Sequence, residues 1–227
     1  MAEPTTVFGD ARSVIVIGDD RRLLNWVAYA FASATDPDFL WVNIESKGEV
    51  RAPLDLFSKG LIPPNRLASL RSAELAPNNA TANIAVSGVV RDDETPENLQ
   101  RLMDFLRLPE RSQARLSTLA VGNAPKVVVL SNAHRLGPYY PAETVAPFLR
   151  AIESTGITFL ATFADAPNEG RFSFDVVLHL EGHDPAAWRQ AVLRVEKGPT
   201  VGPLSSGSEH RLADLEVVRS VLARHLG

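Results

Sequence analysis

The sequence predicts an α/β protein: a mostly parallel sheet flanked by helices, with a further helix at the C-terminus. Three observations predict it. Short runs rich in Val, Ile and Phe alternate with stretches of helical spacing, the pattern of strands joined by crossover helices. Two of the runs, Ser13-Val-Ile-Val-Ile17 and Lys126-Val-Val-Val-Leu-Ser131, are apolar without alternation, as strands buried on both faces are. Near the end, Leu212, Leu215, Val218 and Leu222 recur at helical spacing and mark an amphipathic helix.

The elements follow in order. Ser13–Ile17 is the first strand. It runs through the loop Gly18-Asp19-Asp20-Arg21-Arg22 into a helix that ends near Ser33. Asp36-Pro37-Asp38 is a turn, and Phe39–Ile44 is the second strand, closed by Glu45. Residues 49–60 read as a short helix ending at Gly60, and Pro63-Pro64-Asn65 breaks the chain before a short strand at Leu67–Leu70. Residues 71–94 carry no clear period. Thr95-Pro96-Glu97 starts a helix with a capping hydroxyl, a first-turn proline and an acid; Leu99, Leu102, Met103 and Leu106 form its apolar face.

Strand Lys126–Ser131 comes next, then a helix over 141–154 and strands at Thr158–Phe163 and Asp175–Leu180. Trp188–Glu196 alternates polar and apolar residues and reads as a strand with one wetter face. The Gly/Pro/Ser stretch 198–208 reads as a linker. The division expected is an α/β domain over 1–200, followed by linker and helix over 201–227.

Composition narrows the function. The 227 residues are 45% apolar, enough for a full core. The net charge of −4 supplies no global basic field for nucleic acid. There is no cysteine, which excludes disulfides, thiolate metal sites and cysteine nucleophiles. No apolar run reaches ~18 residues and the first residues lack a basic, then apolar, leader pattern. A cytoplasmic protein with no membrane contact is the expectation.

The first strand–helix loop carries the most chemistry. In nucleotide-binding α/β proteins this turn holds phosphate with glycines, backbone N–H groups and a lysine. Gly18–Arg22 has one glycine, no lysine and two carboxylates of the wrong sign for phosphate. Asp19 and Asp20 suit a helix start instead, as cap and as partners of the helix dipole.

The order of elements and the form of several strand ends resemble the RecA-like ATPases, and among them the KaiC-like branch, over roughly residues 12–200. The resemblance implies a RecA-like three-layer core with degenerate Walker motifs. Gly18–Arg22 falls where the family has Gly-x-x-x-x-Gly-Lys-Thr. Glu45 falls where the family's second strand ends in the glutamate that activates water. Lys126–Leu130 matches the Walker B apolar run, but Ser131 and Asn132 follow in place of the magnesium aspartate. His134 lies just beyond, without a metal-spaced partner. Phe174-Asp175 and the following apolar run resemble the family's last core strands. Lys197 matches the lysine of the closing Lys-x-Arg, while Pro199 replaces the arginine that reaches a neighbour's nucleotide.

Phosphoryl transfer rests on positioning and charge cancellation. With loop lysine, magnesium aspartate and trans arginine absent, the expectation is a non-catalytic pseudo-ATPase: no cofactor, no metal and no catalytic residue, with Glu45, Ser131 and Asn132 as vestiges. It would act as a binding or regulatory protein through self-association or a protein partner, with Lys197 at the interface. Two alternatives are a weak or divergent ATPase and a nucleic-acid-binding relative. The latter would use loops 135–140 and 164–174, where Tyr139, Tyr140, Arg171 and Phe172 offer stacking and phosphate contacts. Asp19 and Asp20 also resemble the acidic pair of response-regulator receiver domains. Those need a third aspartate near 131–132 and a fifth-strand lysine, which this chain does not supply cleanly.

Overall fold

The computed structural model describes residues 7–37, 39–45, 54–62, 67–71, 73–74, 85–88, 126–133, 156–164, 171, 173–200 and 202–227. Ten strands form one sheet: β1 (Ser13–Gly18), β2 (Leu40–Glu45), β3 (Leu67–Arg71), β4 (Ala73–Glu74), β5 (Ala85–Gly88), β6 (Val127–Ser131), β7 (Thr158–Phe163), β8 (Val176–Glu181), β9 (Val192–Lys197) and β10 (Glu209–Arg211). The order across the sheet is β10-β9-β8-β1-β7-β6-β2-β3-β5-β4. From β8 to β5 all neighbours are parallel; β9, β10 and β4 are joined antiparallel at the ends.

The central strands β1, β7 and β6 are the ones with the most continuously apolar sequences. Every residue of β1, β6 and β7 is buried. Helix α1 (Arg21–Thr35) carries the chain from β1 to β2, which lies three places away, and packs across β1, β7 and β6. Leu23, Leu24, Trp26, Val27, Ala30 and Phe31 face that core. The helix stops at Asp36, whose N–H donates to Ala32 O and whose carboxylate accepts from Lys126 N at 2.7 Å, tying the helix end to the start of β6.

Helix α2 (Leu54–Ser58) is a single short turn ending before Gly60, whose φ of +67° is the left-handed form glycine favours. The rest of the 49–60 expectation lies outside the described residues, as do the helices expected at 95 and at 141–154.

Helix α3 (Glu216–Leu226) docks on α1 and buries Val218 and Leu222 in the same core. The His225 ring stacks on Trp26 with centroids 5.9 Å apart, and Lys59 Nζ donates to the His225 carbonyl at 3.0 Å. Burial, then the nearby Arg224 and Lys59 charges, hold the His225 imidazole below its ordinary pKa. On the opposite face of the sheet Ile15, Val128, Phe159 and Val177 are buried too.

Two expectations are corrected here. Trp188 does not begin a strand: Pro185–Gln190 is a 3-10 helix capped by Asp184, Trp188 is buried in it, and β9 starts at Val192. The stretch 198–208 is not a loose linker. Leu204 is buried, Ser206 Oγ bonds both N–H and C=O of Gly198, and Val195 N donates to Ser208 O. The chain thereby folds back to place β10 against β9.

Candidate functional site

In an open parallel sheet the strand carboxyl ends, near the point where connections reverse direction, form the natural crevice for ligands. Here β1 connects toward β2 while its neighbour β7 leads to β8 on the other side. The carboxyl ends of β1, β7, β6 and β2 bring together Gly18–Asp20, Thr162, Ser131, Asn132, Asn43 and Glu45. Those strands therefore place several of the sequence candidates along one edge.

Gly18, Asp20 and Arg22 of the loop are committed to the fold. A Cβ on Gly18 would lie 2.7 Å from Leu180 O and 3.1 Å from Leu180 Cβ. The glycine permits β1 to approach β8 closely; no phosphate is required to explain it. Asp20 is the N-cap of α1, its Oδ1 accepting from Leu23 N at 2.8 Å. Asp19, Arg21 and Arg22 are exposed, and Arg22 pairs with Asp55 of α2 at 2.7 Å.

The carboxyl end of β6 carries neutral polar residues, Ser131 buried and Asn132 half-buried. Ser131, with no exposed surface, donates its hydroxyl to Asn25 Oδ1 of α1 at 2.9 Å. Asn132 donates from its side-chain amide to Asn43 Oδ1 at 2.9 Å and from its backbone to Thr162 Oγ1 at 3.0 Å. Asn132 adopts φ +60°, a conformation unusual outside glycine and tolerated best by asparagine. Asn25, Asn43 and Thr162 were not among the sequence candidates. Their signal is a polar residue inside an otherwise apolar run. Among the described residues no group of three His, Cys, Asp or Glu is placed to hold a metal.

The interface candidates separate. Lys197 lies at the far end of β9, in register with Val177 near the start of β8, and so at the amino edge, away from Gly18. Its Nζ donates to Phe174 O at 2.5 Å. Arg171 bonds Glu196 at 3.3 Å, and His179 Nε2 meets the same carboxylate at 2.6 Å. Partial burial pushes the Glu196 carboxyl up, but the His179 and Arg171 bonds outweigh it and hold its pKa below the usual value. Tyr139, Tyr140, Phe172 and His134 lie outside the described residues. Glu45 ends β2 in register with Arg71 of β3.

No protein-family model matches the chain. No curated protein matches it either. Among the described residues no helix is long and apolar enough to cross a membrane.

Proposed function

We propose that this chain is a RecA-like pseudo-ATPase of the KaiC-like type, a non-catalytic binding or regulatory protein that works through self-association or a protein partner. One observation carries the reading. The first-turn N–H of α1, a donor that a phosphate at this loop would need, is taken by the chain's own Asp20 carboxylate. A second anion brought to that turn would meet Asp19 and Asp20 with no lysine to offset them.

The neutral Asn25, Asn43, Ser131, Asn132 and Thr162 set supports the same reading, because magnesium prefers anionic oxygen and water in an open octahedral shell. The nucleic-acid alternative draws no support from Arg171, whose guanidinium is engaged by Glu196.

Calorimetric titration of the full chain with magnesium-ATP tests the non-catalytic half. No saturable binding at millimolar nucleotide is expected; micromolar affinity would overturn it. Light scattering tests the association half. A mass above the 24.7 kDa of one chain is expected, reduced by Lys197→Glu. A monomer that captures no second protein in cross-linked cell extract would remove the basis for that half.

A further inference from the structure

Ser131 and Asn132 are consecutive, yet between them they bond three other elements: α1 through Asn25, β2 through Asn43 and β7 through Thr162. Asn132 keeps its left-handed backbone inside this arrangement. Such a conformation costs energy outside glycine and persists where surrounding bonds over-determine it. Ser131, Asn43 and Thr162 are all buried, 0%, 1% and 2% exposed. These three cannot readily recover a lost partner from water, so a broken bond leaves a desolvated polar group on the buried side.

We propose that Ser131 and Asn132 form an internal clamp that sets the carboxyl ends of β2, β6 and β7 against the first turns of α1 without any bound ligand. These strand ends are then tied together by neutral amides and hydroxyls of the chain itself. Every member is uncharged at ordinary pH, so the clamp is insensitive to salt and to acidification through the carboxylate and imidazole ranges. The inference goes beyond the pseudo-ATPase reading and stands whether or not the chain self-associates.

A double-mutant cycle on the ligand-free full chain tests it. Asn132→Gly removes the side chain while glycine accepts φ +60° freely, and Asn43→Ala removes the partner. Each single variant should lower Tm by about 3–8 °C. The double variant should fall within about 2 °C of the worse single, because the two share one interaction. Native-state hydrogen exchange supplies the second readout. In Asn43→Ala the backbone N–H of Asn132, which bonds Thr162 and not Asn43, should exchange roughly tenfold faster, as a cooperative unit requires. Thr162→Val keeps the shape and removes the acceptor; should Asn43→Ala fail to fold, it must raise exchange at Asn132 in the same way. Additive losses of Tm, or unchanged exchange at Asn132 in the variants that fold, would overturn the clamp. Neither result bears on nucleotide affinity or oligomer mass, so the two readings fail separately.

Discussion

Asp175 and Ser13 are locked together across the sheet although 162 residues separate them. One carboxylate oxygen of Asp175 accepts from the Ser13 N–H and from the Ser13 hydroxyl, each at 2.9 Å, and from Arg12 N at 2.8 Å. In return the N–H of Asp175 donates to Ser13 O at 3.0 Å. The start of β8 is thereby pinned to the start of β1, which fixes their register and places Gly18 opposite Leu180 at the far end. Asp175→Ala should cost about 2–4 kcal/mol, because charge-assisted bonds are lost and buried donors are orphaned. Asp175→Asn, which keeps an acceptor, should cost less than half of that. Urea midpoints of the two variants check the ranking.

The loop after β1 should respond to substitution as a packing joint. Gly18→Ala forces a methyl against the Leu180 carbonyl and should destabilise by about 1–3 kcal/mol. Asp20→Ala removes the helix cap and should cost about 1 kcal/mol. Thermal melts of both variants, run with and without magnesium-ATP, should show these losses and no nucleotide-dependent gain.

Placing an aspartate at Ser131, at the carboxyl end of β6, should not create metal binding. Ser131→Asp would place a carboxylate at a fully buried site facing Asn25 Oδ1, an acceptor like itself. A loss of several kcal/mol is expected from the desolvated charge. The measurement is the Tm of the variant across magnesium concentrations. A magnesium-dependent rise above the wild-type value would contradict the picture of a neutral, self-satisfied cluster at Ser131.

Acidification should loosen the β8–β9 pair. The folded-state pKa of Glu196 lies below its ordinary value because His179 and Arg171 outweigh partial burial. Its contribution is therefore full above the ordinary carboxylate pKa and is lost as pH falls through the lowered one. His225 adds to the trend at higher pH. Its imidazole is held below the ordinary value of 6.5, so stability drains as pH drops from there through the lowered value. Glu196→Gln should flatten the low-pH part of a stability profile and His225→Gln the part nearer neutrality.

Helix α3 should behave as part of the core. Leu222 has no exposed surface, and Leu222→Ala should cost about 2–5 kcal/mol. Trp26 fluorescence, sensitive to the stacked His225, should change in the same unfolding transition as far-UV circular dichroism. Two separate transitions would mean that α3 is held more loosely than its buried side chains imply.

The sequence was most legible where burial is two-sided. Val14–Ile17, Val127–Leu130 and Phe159–Phe163 leave little choice but interior strands, and all three are. Strand β10 was invisible because Glu209-His210-Arg211 is polar, three residues long and held by backbone pairing, so it leaves no hydrophobic period. The 3-10 turn at 185–190 did leave a mark, Asp184 before Pro185, a cap followed by a first-turn proline. The alternation around Trp188 masked it. At the candidate edge, Asp20's capping role was readable from residue types alone. The Asn25, Asn43 and Thr162 partners were not, since bonds between residues 30 to 106 positions apart leave no local pattern.

The placement of β1 has a consequence for biosynthesis. Strand β1 has both of its neighbours, β7 and β8, encoded well over a hundred residues later. Ser13–Gly18 must therefore wait as an exposed, sticky hydrophobic segment until β7 and β8 have been translated. A nascent chain of this design invites chaperone capture, and truncated products ending before residue 158 should precipitate instead of folding.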